Sequence, residues 1–230
     1  RDLAFVWCRC MAVHVPVMTA EVLAALEPSR GGLFVDCTVG LGGHSRALVE
    51  AGAGRVLGID RDAHALEMAT AALAQWHDRI EFVHADFREL PRLLDERGIE
   101  AIDGAVADLG VSSMQLDEPG RGFSFQRDEP LDMRMDRSRG ATAAELLMRA
   151  SEAELADVIF EYGEERRARA VARAIVAARR AAPLRTTAQL ATAVRRVVAR
   201  SGRIDPATRT FQAVRIWVNA ELEGFEIFLR

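Results

Sequence analysis

Four runs of apolar residues mark the first half of the chain: LFVDC (33–37), RVLGID (55–60), IEFVHAD (80–86) and IDGAVADLG (102–110). Each is short and nearly continuous in its hydrophobicity, as strands buried on both faces of a parallel sheet are. Helical spacing fills the gaps between them, at 47–50 with its preceding turn, at 63–74, and in a shorter stretch near 88–94. Strands separated by helices predict a right-handed, doubly wound α/β sheet. After Val111 the pattern changes to a Gly- and Asp-rich loop, GRGFSFQRDEPLDMRMDRSRG, and then to helical segments without another strand-like run. Residues 115–205 therefore read as an all-helical insertion, with 11–114 and 206–230 forming the sheet domain.

The clearest helix spans 164–181, where Ala168, Val171, Ala172, Ile175 and Val176 repeat at the spacing of one apolar face. Arg166, Arg169, Arg173 and Arg180 fall on another face, and each taken singly fits an ordinary solvated surface. The last helix is expected to start with Asp205 as N-cap and Pro206 at its first position. Phe211, Val214, Val218, Leu222, Phe225 and Leu229 would then line one side. That stripe is still running at Arg230, and four strands followed by such a helix leave a strand edge and an apolar face uncovered, which predicts further strands beyond it. Residues 1–10 continue into no periodic pattern and read as a leader without structure, with Met11 the expected start.

With 230 residues, half of them hydrophobic, the chain can bury a full core and carry an insertion. Nothing approaches 18 consecutive apolar residues, and the run from Leu3 to Cys8 is too short for a signal peptide, so a cytoplasmic protein with no membrane span is expected. Cys8, Cys10 and Cys37 lack the paired spacings of a zinc site or a disulfide framework and read as reduced thiols; no ligand cluster for a metal is visible. The net charge of −4 argues against a generally basic nucleic-acid binder. Its distribution changes that picture. Between Arg166 and Thr210 there are 12 Arg and one acid, Asp205, a local +11 that leaves −15 for the rest, and such a patch is an electrostatic footprint for phosphates.

The candidate chemistry begins with DCTVGLGGHS, 36–45, directly after the first strand. Gly40, Gly42 and Gly43 let the backbone turn tightly and approach a ligand, with helix N-terminal amides presented to it. A packing turn explains such a loop as readily as a ligand does, but Asp60, ending the second strand 18 residues after Gly42, supports a nucleotide-type pocket. An acid there can accept both ribose hydroxyls in NAD-binding and in S-adenosylmethionine-binding sheets alike. Three further features favour the methyl donor. Position 45 is Ser where the dinucleotide fingerprint wants Gly; Asp86 and Phe87 end the third strand where an adenine would be held; and Asp108 ends the fourth, where amino-methyltransferases place a polar group beside the reacting nitrogen. The bland reading of Asp108 is a structural cap, and a nicotinamide oxidoreductase or a non-catalytic RNA-binding module remain the competing functions.

Several motifs together carry a resemblance: HVPVMTAEV (14–22), DCTVGLGGHS, GIDRD (58–62), DLGVSSMQLD (108–117), RGFSF with PLDMRMD (121–136), YGEERRARAVARAIV (162–176) and PATRTFQAVRIWVNAELE (206–223). In this order the chain resembles the MraW-type family of bacterial methyltransferases that make N4-methylcytidine in 16S ribosomal RNA. The resemblance implies a Rossmann-like methyltransferase sheet, S-adenosyl-L-methionine as cofactor, and the decoding region of 16S rRNA, within the small ribosomal subunit, as substrate. It also implies that Gly42, Gly43, His44, Asp60, Phe87, Asp108 and Gln115 contact the cofactor, of which His44 and Gln115 would not be chosen from the residues alone. Asp108 is the catalytic candidate, as acceptor for the target amine or as holder of the cofactor's amino group. The family commonly has Pro at Met114 and His at Asp205, and continues beyond the last helix into an SFHSLEDR-like motif not found here.

Overall fold

Four strands, β1 (Leu33–Asp36), β2 (Arg55–Asp60), β3 (Ile80–His84) and β4 (Gly104–Val106), form one parallel sheet in the order β3-β2-β1-β4. The structure is a computed structural model and describes residues 16–200, 202–224 and 228. The expected leader and its boundary at Met11 lie outside those residues. Phe34 is in register with Val56 on one side and Gly104 on the other, and Asp36 with Gly58 and Val106. Helices make the crossovers: α1 (Thr19–Leu26) precedes the sheet, α2 (Gly43–Glu50) links β1 to β2, α3 (Ala63–Ala72) links β2 to β3, and α4 (Leu90–Glu96) leads to β4. The chain runs outward from β1 through β2 to β3, then returns to place β4 on the other side of β1. The carboxyl ends of β1 and β4 thus flank the point where strand order reverses, the place where open α/β sheets bind ligands.

Phe34, Leu48, Val49, Ala53, Val56, Leu73, Ile80 and Val106 make the core of this part. The doubly wound reading therefore holds, with small shifts at strand ends. β3 stops at His84 and β4 at Val106, so Asp86 and Asp108 each stand two residues beyond their strand, in the connecting loops.

The chain divides into two compact units, Arg1–Asp108 and Leu109–Arg230. The second contains α5 (Ser113–Asp117), α6 (Ala143–Arg149), α7 (Glu152–Glu161), α8 (Ala168–Ala181), α9 (Thr187–Arg195) and α10 (Thr208–Asn219). α7 packs on α8 and α10, α8 on α9, and α10 also on α6. Leu147, Leu155, Ile159, Val171, Ile175, Leu190, Phe211 and Val214 fill the centre. α10, which the sequence pattern grouped with the sheet domain, thus shares the core of the helical unit.

Two helix boundaries differ from expectation. α8 begins at Ala168 rather than at Glu164, because Glu164 takes a left-handed φ of 51° and the Glu165 carboxylate accepts the Arg167 amide, 2.8 Å, in a turn of its own. Its expected apolar face is buried as read. α10 begins at Thr208: Asp205 accepts the Ala207 amide, 2.9 Å, and so caps a lead-in turn instead of the helix. The helix stops at Asn219, where Ala220 adopts φ 48°, so exposed Leu222 is not on its stripe. Phe225 and Leu229 lie outside the described residues. Among the described residues no helix is long and apolar enough to cross a membrane.

Candidate functional site

The loop after β1 is shaped by two buried aspartates. Asp36 accepts the Ser45 hydroxyl at 2.7 Å and the Thr38 amide at 3.1 Å, joining the end of β1 to the first turn of α2. Asp60, at the end of β2, accepts the Gly40 amide at 2.7 Å through one oxygen and the Asp62 amide at 2.8 Å through the other. Burial pushes both carboxyls above the usual carboxylate range, against the lowering effect of these hydrogen bonds. The same burial, with the Asp36 charge beside it, pushes the Cys37 thiol up to about 12, leaving it an inert packing residue.

The three loop glycines are not alike. Gly42 has φ 83° and a Cβ there would lie 2.6 Å from Leu73 Cδ1; one on Gly43 would lie 2.5 Å from Pro16 Cγ. Packing alone demands glycine at both. Gly40, at φ 51°, has nothing within 4 Å of where its Cβ would be, so its backbone borders open space beside Asp60.

Asp108 reaches the same end of the sheet from β4. Its backbone N–H donates to Thr38 Oγ1 at 2.7 Å, which ties it to the β1 loop, while its side chain is 51% exposed. Its Oδ2 stands 3.9 Å from His44 Nε2, too far for a hydrogen bond. His44, in the first turn of α2, is buried, and among the described residues its Nδ1 has no hydrogen-bond partner. An orphaned buried ring nitrogen is uncommon and marks a position where a bound group can supply the missing partner. Thr38 and Ser45 were not singled out as site residues from the sequence, and no spacing signal could have found them. Ser45 entered only as a departure from the dinucleotide fingerprint, and its hydroxyl proves to be the donor that holds Asp36.

Asp86 is committed to local structure. Burial alone would raise its pKa, but the Arg88 guanidinium, at 2.8 Å to each oxygen, and nearby Arg61 hold it below the usual range. Phe87, next to it, is buried in the short turn before α4. Gln115 belongs to the second unit, where its side chain accepts the Ser112 amide at 3.1 Å in the capping box of α5.

Within the first unit, then, Gly40, His44, Asp60 and Asp108 converge on the strand-order reversal. The model of the MraW methylase family matches residues 11–230. The chain belongs to the MraW methylase family. Relatives of that family bear the name ribosomal RNA small subunit methyltransferase H. The one from Sorangium cellulosum is 55% identical over 218 residues, covering 94% of this chain and 69% of the relative. That from Nitrobacter winogradskyi is 53% identical over 211 residues, 91% of this chain and 63% of the relative. That from Geotalea uraniireducens is 50% identical over 218 residues, with coverages of 93% and 70%. The chain therefore spans 63–70% of the length of these relatives.

Proposed function

We propose that the protein is an S-adenosylmethionine-dependent methyltransferase acting on the exocyclic N4 of a cytidine in the decoding region of 16S rRNA, on the small ribosomal subunit in the cytoplasm. The observation that carries this reading is the meeting of Gly40, His44, Asp60 and Asp108 at the reversal point of the sheet, in a chain of the MraW family. The residues fit the cofactor. Each Asp60 oxygen holds one backbone donor and keeps a lone pair for a ribose hydroxyl, Gly40 leaves open space beside it, and His44 offers an unpartnered ring nitrogen. A nicotinamide dinucleotide fits less well, because Ser45 and its bond to Asp36 occupy the position where that fingerprint needs a third glycine.

When bound, S-adenosylmethionine supplies an electrophilic methyl carbon. The cytosine amine is a weak nucleophile because its lone pair is conjugated with the ring, so the chain's task is to position it and to draw on its hydrogens as the nitrogen rehybridises. Asp108 is suited to that: its half-exposed carboxylate can accept from the N4 hydrogens, and the hydrogen bond its backbone N–H donates to Thr38 Oγ1 fixes the loop that carries it. A base must leave its stack to present N4, so the target is single-stranded or flipped out. The arginines of the helical unit would hold the RNA backbone.

The test is titration calorimetry of S-adenosylmethionine and NADH, with methyl transfer to small subunits, for wild type and Asp108→Ala. Binding of the methyl donor alone, with transfer lost in Asp108→Ala, is expected. Near-normal transfer in Asp108→Ala would remove it from the mechanism, and no binding of the methyl donor would overturn the cofactor assignment.

A further inference from the structure

At the start of α8 two concavities share residues. The larger, of about 500 Å³, is lined by Asp157 and Phe160 of α7 and by Arg166, Arg167, Arg169 and Arg173. The second, of about 320 Å³, shares Arg166 and Arg167 with it and extends to Ile204 and Arg209. Phe160 is 61% exposed, the one aromatic ring among the strongly exposed large apolar side chains of the described residues. α7 buries Leu155, Ala156, Val158 and Ile159, and that phase turns the Phe160 ring outward into the larger concavity.

The charges around it are uncompensated. Arg166, Arg167, Arg169 and Arg173 are all exposed, and among the described residues none has a carboxylate within 4.0 Å. Elsewhere in this unit Arg134, Arg195 and Arg215 are each paired to an acid at 2.9 Å or less. The nearby acids do not offset the cluster. Glu165 is buried and accepts the Arg167 amide, Asp205 is held by Arg195, exposed Glu161 and Glu164 lie outside the lining, and Asp157 is the one acid lining the larger concavity, against four guanidinium groups. The first turn of α8 contains no acid and no side-chain cap, so the positive end of the helix dipole adds to the same field.

An exposed aromatic ring set among unpaired arginines is the arrangement that binds unpaired nucleotides: a base stacks on the ring while neighbouring phosphates meet the guanidinium groups. We propose that this double concavity is a binding site for a single-stranded RNA segment, with one base on Phe160 and the flanking phosphates along Arg166, Arg167, Arg169 and Arg173. This rests on the ribosomal RNA reading above and deepens it, by naming where the helical unit grips the strand apart from the methyl-transfer residues.

The test is fluorescence anisotropy with a short labelled single-stranded RNA, run at several salt concentrations on the chain and on exposed-site variants. Phe160→Ala should weaken binding about tenfold with the salt dependence unchanged, and Phe160→Trp should restore it, because stacking is insensitive to salt. Arg169→Ala with Arg173→Ala should lower the slope of log affinity against log salt by about 1.4, at about 0.7 per phosphate contact on a single strand. Arg180→Ala, on the same helix and outside both concavities, should leave slope and affinity nearly unchanged. Equal effects of Arg180→Ala and the double variant, or an unaltered Phe160→Ala, would overturn the site. So would binding of a polyglutamate peptide as tight as that of RNA, which would identify an acidic polypeptide as occupant. Titration of S-adenosylmethionine in the same samples separates the two readings: cofactor binding with RNA binding indifferent to Phe160 sinks this site alone, whereas Phe160-dependent RNA binding without cofactor binding sinks only the methyltransferase assignment.

Discussion

Asp36 and Asp60 invite the same isosteric exchange to Asn, with different expected outcomes. Asp60 receives one fixed backbone N–H on each oxygen, from Gly40 and from Asp62. A carboxamide has one acceptor oxygen, so whichever way it turns its NH2 group faces an N–H donor. Asp60→Asn should therefore lose a charge-assisted hydrogen bond and leave a buried amide unpaired, at about 1–3 kcal/mol, partly offset by removing a buried charge. Asp36 receives a backbone N–H from Thr38 on one oxygen and a hydroxyl from Ser45 on the other, with the Ser45 backbone N–H only a weaker further donor. A hydroxyl rotates, and can accept from the new NH2 group as readily as it donated before. Asp36→Asn should stay within about 1 kcal/mol of wild type. Urea denaturation at neutral pH, followed by circular dichroism, should then separate the variants by about 1–2 kcal/mol, with Asp60→Asn the weaker. The pH dependence supplies a second check. Burial raises both carboxyls in the folded state above their unfolded value of 3.8, so as pH falls through the raised values the folded wild type takes up protons first and gains stability relative to its unfolded state. Asp36→Asn lacks that titration, and its standing relative to wild type should fall on acidification from neutral pH towards 3.8. Equal losses at the two positions, or a greater loss at Asp36, would refute the assignment of fixed and rotatable donors.

The loop glycines give a parallel contrast. Gly42→Ala meets both a left-handed φ and the Leu73 methyl and should cost upwards of about 2 kcal/mol in denaturant, whereas Gly40→Ala, with open space around its Cβ, should cost only about 1 kcal/mol. Titration of S-adenosylmethionine should show Gly40→Ala impairing binding out of proportion to that small loss; unchanged affinity would remove Gly40 from the proposed cofactor site. In the helical unit, Asn219 accepts the Met135 amide at 2.7 Å and donates to the Met133 and Arg215 carbonyls at 2.7 and 2.9 Å. Asn219→Ala should cost about 2–4 kcal/mol in urea denaturation, and a loss under 1 kcal/mol would mean that solvent replaces those bonds.

β1 and β2 were legible because parallel strands covered on both faces read as unbroken apolar runs, β3 and β4, the partly exposed outer strands, because their runs are still short and mostly apolar, and the amphipathic face of α8 because its period is long and regular. α1 was not read as a helix: Thr19–Leu26 is short, buries no residue fully, and is entered through Met18 in a left-handed conformation that no periodicity signals. The starts of α8 and α10 were placed four and two residues early, because Glu165 and Asp205 spend their carboxylates on turns that imitate helix caps. At the site, Gly40, Asp60 and Asp108 follow from position relative to strand ends. The pairings that hold them, Ser45 on Asp36 and Thr38 on the Asp108 amide, do not. The first depends on how a helix turn faces a strand end, and the second joins residues 70 positions apart, and neither distance is written in local pattern.

The clamp made by Asn219 has a consequence for how the protein is made. Met133 and Met135 are buried residues whose backbone partners lie on a helix synthesised 84 to 86 positions later. On a ribosome adding about 5–20 residues per second, that interval is roughly 4–17 s. During it Leu131, Leu147, Leu155 and Ile159, all destined for the centre of the helical unit, have no closing helix to lie under. The four strands β1 to β4 are all made by Val106, before this interval begins. Nascent chains stalled before and after residue 219 should therefore differ sharply in how strongly the helical half is held by cellular chaperones, while the sheet half is handled alike in both.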